Sequence, residues 1–114
     1  QHLGPLDGRS VALLGAAYRF DSEDTRNSPT LSLARLLLDR GCQVRIHDPY
    51  VPGRDANLAA AGLTDVFTND LDEALRGAEI AVICTGHGVY VRGFPAAATA
   101  HESLRGVVDA ANAF

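Results

Sequence analysis

Arg19 and Arg26 stand seven residues apart in a polar stretch, Ala16 to Asn27, that also carries Asp21, Glu23 and Asp24. A guanidinium is planar and donates in pairs, which suits it to phosphate oxygens, so an anion is the expected guest. Surface ion pairs contribute under about 1 kcal/mol and give little reason to crowd this much charge between an apolar run and a helix start. Within the set, Asp24 is read as the partner of an arginine and Ser28 as a helix cap, both structural supports of the site.

Other reactive side chains fall into less suggestive patterns. Cys42 and Cys84 sit in apolar surroundings, 42 residues apart and without a C-x-x-C, and are expected to be buried, inert thiols. His2 and His101 lie in weakly patterned sequence and His47 is expected mid-strand, so the histidines make no metal set. His87 follows an apolar run and is either a loop hydrogen-bonder or a site residue. A dinucleotide fingerprint fails, because Gly15 stands alone where three glycines are needed, with Ala17 and Phe20 in the other places. Asp48 is expected to form a turn before Pro49.

The elements that must hold these residues follow from periodicity. Ser10 to Gly15 is a continuous apolar run, the pattern of a central parallel strand covered on both faces. Ser28 and Pro29 suit the N-cap and first helical position, and Leu31, Ala34, Leu37 and Leu38 then recur at helical spacing up to Gly41. Gln43 to Asp48 alternates as a strand, Asp55 to Ala61 predicts a short helix ended by Gly62, and Val66 to Thr68 a brief edge strand. Leu71 to Arg76 predicts a further short helix, Glu79 to Thr85 a second buried strand, Phe94 to Ala100 at most weak helix, and Gly106 to Ala110 a last apolar strand. Strand, crossover helix and strand within about forty residues make a parallel βαβ unit. The sum is a three-layer α/β/α, Rossmann-like domain with a parallel sheet of four or five strands. In such sheets ligands bind beyond the carboxyl ends of the strands, where the arginine stretch and His87 both fall.

Composition narrows the classes. A chain of 114 residues buries roughly two-thirds of its unfolded surface in one core and needs no disulfide or metal to fold. A net charge of −4 argues against non-specific nucleic-acid or anionic-membrane binding, so any phosphate site is local. The apolar runs are far shorter than the roughly 20 residues of a membrane span, and no signal pattern opens the chain; a soluble, cytoplasmic protein is expected. With no methionine and a start at Gln1, the chain is expected to be one domain, residues 1–114, excised from a longer protein.

G-A-A-Y-R-F-D-S-E-D-T-R-N-S-P, the apolar helix after it, R-G-C-Q-V-R-I-H-D-P-Y, the A-V-I-C-T-G-H run and the closing V-V-D-A-A-N-A-F resemble, in order, the C-terminal, UDP-binding domain of the UDP-glucose/GDP-mannose dehydrogenase family. The resemblance implies part of an NAD-dependent nucleotide-sugar dehydrogenase of polysaccharide biosynthesis. Such an enzyme oxidises the C6 alcohol of a UDP- or GDP-sugar to a carboxylate in two hydride transfers through a cysteine-bound intermediate. It further implies an N-terminal domain holding most of the NAD, a central domain carrying the catalytic cysteine, and a homodimeric parent. Neither Cys42 nor Cys84 matches the catalytic segment, so this chain alone is expected to be inactive, with no catalytic residue of its own.

Carried over residue by residue, the resemblance puts Tyr18 and Arg19 on the aromatic-lysine pair that contacts the nucleotide sugar, and Arg26 on the arginine that reaches NAD across the domain interface. Tyr18 offers a ring for stacking, Arg19 a charge for phosphate and Arg26 a fork for a second anion. Two departures matter. Arg19 replaces the usual lysine, which changes reach and geometry, and Ala111 stands where the family carries a substrate-binding arginine. A non-catalytic nucleotide-binding or interaction module that has lost substrate contacts is the alternative.

Overall fold

The computed structural model describes residues 9–17, 25, 28–85, 87, 88, 90, 101 and 103–110. Five parallel strands form one sheet: β1 (Ser10–Leu14), β2 (Gln43–His47), β3 (Phe67–Thr68), β4 (Ile80–Ile83) and β5 (Gly106–Asp109), in the order β3-β2-β1-β4-β5. The chain moves outward from β1 on one side, then returns to add β4 and β5 on the other. Leu13 is registered between Ile46 of β2 and Val82 of β4, and Leu14 between His47 and Ile83. The order reverses between β1 and β4, the place where the two connections diverge and leave a crevice.

Alternation along β1 divides the core. Val11 and Leu13 face α1 (Pro29–Asp39) and α2 (Ala56–Ala60), packing with Leu31, Ala34, Leu37, Val44, Ile46 and Leu58. Ala12 and Leu14 point the other way and pack with Leu75 of α3 (Leu71–Leu75), Ala81, Ile83 and Tyr90. A strand buried on both faces needs apolar residues at consecutive positions, which is why β1 reads as an unbroken run. The helix after it starts where its caps dictate. Ser28 accepts a hydrogen bond from Thr30 N–H at 3.2 Å, Pro29 occupies the first turn, and Gly41, at φ +83°, takes the left-handed turn beyond the helix end. Asp55 and Asp70 cap the two short helices in the same way, each accepting from two N–H groups of its first turn.

The expected three-layer fold is the observed one, with five strands. Each strand is shorter than expected, β4 the most: it runs only from Ile80 to Ile83, and only Ala81 and Ile83 in it are fully covered. The last strand is apolar but lies at the sheet edge, leaving Val107 46% and Val108 52% exposed. His47 is the final residue of β2 and is buried, not mid-strand. The Phe94–Ala100 stretch lies outside the described residues. Among the described residues, no helix is long and apolar enough to cross a membrane.

Candidate functional site

Strands β1 and β4 run side by side to the carboxyl edge of the sheet, and the chain leaving β1 turns at Gly15. This glycine adopts φ +106°, and a Cβ there would meet Thr85 Cβ at 2.6 Å and Thr85 N at 2.8 Å. Its missing side chain therefore admits the neighbouring strand exit, not a ligand's pyrophosphate. Thr85 completes the contact by donating its hydroxyl to Ala17 O at 2.7 Å.

The strongest feature of this edge is Asp48. Its side chain is fully buried and accepts five hydrogen bonds: from Ala16 N–H at 2.8 Å, Ala17 N–H at 3.0 Å, Tyr50 N–H at 2.8 Å, Val51 N–H at 3.1 Å and His87 Nε2 at 2.8 Å. Burial alone would raise the carboxyl. The bonds from His87, Tyr50 and Ala17 outweigh it and hold Asp48 below the usual carboxylate range. A carboxylate can only accept, so His87 Nε2 carries the proton. The exposed Tyr50 ring then stands edge-on to His87 with centroids 5.1 Å apart. Tyr50 and Val51 make the turn that the Asp48-Pro49 pair predicts; the other three donors come from two distant segments.

Behind this carboxylate lies a second buried polar pair. His47 Nε2 is 3.1 Å from Asn69 O and its Nδ1 is 2.7 Å from the Tyr90 hydroxyl. Burial lowers the His47 pKa, so the ring is neutral; the carbonyl partner requires a proton on Nε2, and Nδ1 shares the Tyr90 O–H with His47 O, 3.1 Å from that hydroxyl. Burial also pushes the Tyr90 phenol far up, keeping it a donor. The side-chain amide of Asn69 donates to Asp48 O at 2.7 Å and Val51 O at 2.8 Å, tying the turn to β3.

Across the crevice, Thr25 is buried and donates to Asp55 Oδ2 at 2.8 Å while accepting from Asn57 Nδ2 at 2.8 Å, which fastens the arginine stretch to the start of α2. Between α1 and β4 lies a cavity of about 300 Å³ lined by Ala17, Thr30, Leu33, Val82, Cys84 and Thr85 among others. Its walls are apolar, with the amino end of α1 on the rim. An apolar pocket beside a helix amino terminus suits a ligand with a flat apolar part and an anionic part. Burial pushes the Cys84 thiol up, a bond with Thr30 offsetting this only in part, so it offers no thiolate there. Cys42 is buried, and among the described residues no three His, Cys, Asp or Glu side chains gather as a metal set.

Of the residues singled out by sequence, Ser28 is the helix cap described above and His87 is a buried hydrogen-bonder on Asp48. Tyr18, Arg19, Asp24, Arg26 and Ala111 lie outside the described residues. Sequence reasoning missed the reach of Asp48 and the parts played by Thr85, Thr25 and Tyr90. Asp48 carried one signal, its place at the end of the second strand; Tyr90 carried none.

Comparison with known proteins agrees with this architecture. The sequence model described as "UDP-glucose/GDP-mannose dehydrogenase family, UDP binding domain" matches residues 12–114. UDP-glucose 6-dehydrogenase of Pongo abelii is 32% identical over 87 residues, covering 68% of this chain and 18% of that protein. UDP-N-acetyl-D-mannosamine dehydrogenase of Methanocaldococcus jannaschii is 36% identical over 80 residues, covering 70% of this chain and 16% of that protein. The crystal structure of NDP-N-acetyl-D-galactosaminuronic acid dehydrogenase from Methanosarcina mazei Go1 superposes on 96% of this chain and 22% of its own, with a TM-score of 0.75 and 31% identity. The chain thus spans about a fifth of the length of such relatives. With the sequence matched almost throughout and the fold shared, the chain belongs to the UDP-glucose/GDP-mannose dehydrogenase family, within its UDP binding domain.

Proposed function

We propose that this chain is the nucleotide-sugar-binding domain of an NAD-dependent dehydrogenase that oxidises the C6 alcohol of a UDP-sugar to a carboxylate. The observation that carries the reading is the family match over residues 12–114, which runs through the arginine stretch at the carboxyl edge of the sheet. The mainly apolar cavity between Ala17, the α1 amino end and β4 supports it, offering space for the flat part of a nucleotide. In this reading Tyr18 packs on the ligand, Arg19 takes the diphosphate, and Arg26 reaches the NAD held mainly by another domain of the parent. The hydride acceptor is supplied by that cofactor when bound; this chain binds and orients the nucleotide end of the substrate. Neither cysteine is placed here as the reaction's nucleophile: Cys42 is buried, and burial pushes the Cys84 thiol up. A soluble cytoplasmic enzyme acting as a homodimer completes the proposal.

The test is calorimetric titration of the chain with UDP, UDP-glucose and GDP-mannose. UDP compounds should bind weakly, with GDP-mannose weaker still, and Arg19→Ala should abolish the heat of binding. No binding at millimolar UDP would remove the reading of this chain as a binder in its own right.

A further inference from the structure

The peptide that joins Ala17 to Tyr18 is where the sheet hands the chain over to the arginine stretch. The Ala17 residue is held from both sides: its N–H donates to Asp48 at 3.0 Å, and its carbonyl, part of that joining peptide, accepts the Thr85 hydroxyl at 2.7 Å. Asp48 is in turn gripped by His87 at 2.8 Å, with both side chains fully buried. Three strand exits, those of β1, β2 and β4, thus converge on a single residue at the base of the loop. Fully satisfied buried networks of this kind rigidify what they touch, and pre-organising a loop in its bound form removes an ordering cost from binding.

We propose that Asp48, braced by His87, and Thr85 are positioning residues that fix the backbone of Ala16 and Ala17, from which the sequence continues into Tyr18–Arg26, so that binding strength depends on this bond network. This rests on the reading of that stretch as the nucleotide-sugar site. The role belongs to the donor at position 87, not to the imidazole as such. A glutamine amide can donate to Asp48 from a similar distance, whereas phenylalanine fills the space and leaves the carboxylate one donor short.

The experiment compares wild type, His87→Gln, His87→Phe and the near-isosteric Thr85→Val, each the full chain, by UDP titration and by backbone amide exchange without ligand. His87→Phe should weaken UDP binding by roughly tenfold or more and Thr85→Val by roughly threefold to tenfold, with His87→Gln within about threefold of wild type. In the ligand-free proteins, exchange should accelerate selectively at Ala16 and Ala17 in His87→Phe, relative to Val11 and Leu13 in β1. Unchanged affinity in both weakened variants, or faster exchange spread evenly over the sheet, would overturn the inference and reduce the network to ordinary stability. If His87→Phe fails to fold, Thr85→Val carries both readouts alone. A wild type that ignores UDP would sink the functional reading, and the exchange pattern would still decide whether the network holds the loop base.

Discussion

The two ends of the sheet handle polar groups in opposite ways. At the carboxyl end, Thr25, Ser28, Thr30, His47, Asp48, Thr85 and His87 are all buried, and they are the buried polar or charged side chains among the described residues. At the amino end the polar contacts lie open: Arg9 pairs with Glu79 at 3.3 Å with their side chains 47% and 33% exposed, and Ser10 meets Gln43 at 3.2 Å on the surface. Desolvated polar groups are costly unless every bond is made, so a fold gains nothing from gathering them for stability alone. Concentrating them at one end marks where geometry, not burial of apolar area, is what the chain has to secure.

The comparison breaks most sharply at Asp48. Replacing it with alanine leaves four backbone N–H groups and His87 without their acceptor, and should destabilise the domain by about 3–5 kcal/mol, a large share of a typical total. Urea unfolding followed by circular dichroism measures this, and a loss under about 1 kcal/mol would mean that water replaces the carboxylate and the network is not a dry one. Gly15→Ala comes next. A Cβ placed 2.6 Å from Thr85 Cβ, on a backbone at φ +106°, combines overpacking with left-handed strain, for about 2–4 kcal/mol in the same measurement.

How much of this was legible in the sequence divides along the same line. Elements governed by neighbours in the chain were readable: β1 from its apolar run, α1 from Ser28, Pro29 and Gly41, and the two of the five Asp48 bonds that lie within three residues, from Tyr50 and Val51. The bonds from Ala16 and Ala17 were not, because these residues are 32 and 31 positions away and come to Asp48 only through the β1–β2 pairing. His87 follows the same rule: nothing local says whether a histidine at a strand exit meets a carboxylate, and its bond to Asp48 spans 39 residues. Val107 and Val108 look like core residues in sequence, and only the strand order reveals that they sit at an edge.

Acid should discriminate the ends as well. His47 is held below its ordinary value of 6.5, so the unfolded chain binds a proton that the folded one refuses, and stability falls as the pH drops below about 6.5. Asp48 lies below its ordinary 3.8, so its contribution is present above that value and is lost as the pH falls further. Urea midpoints should therefore decline between pH 7 and pH 5 and again below pH 4. In His47→Gln the first decline should flatten while the second persists; an unaltered first decline would assign it to another group.

The smallest effect sharpens the contrast from the other side. Arg9 and Glu79 meet at the amino end at 3.3 Å, longer than any bond to the Asp48 side chain; water reaches both and screens their attraction, and holding two long side chains together costs rotamer freedom. Arg9→Ala should change the unfolding free energy by under about 0.5 kcal/mol, and raising the salt concentration should erase what difference there is. Glu79 keeps a separate task, since its other oxygen accepts from Ser10 N–H at 3.2 Å and so helps start β1. A loss of 2 kcal/mol or more on Arg9→Ala, a magnitude expected of charge-assisted bonds shielded from water, would show that the amino end also relies on specific polar geometry, and the division between the two ends of the sheet would fail.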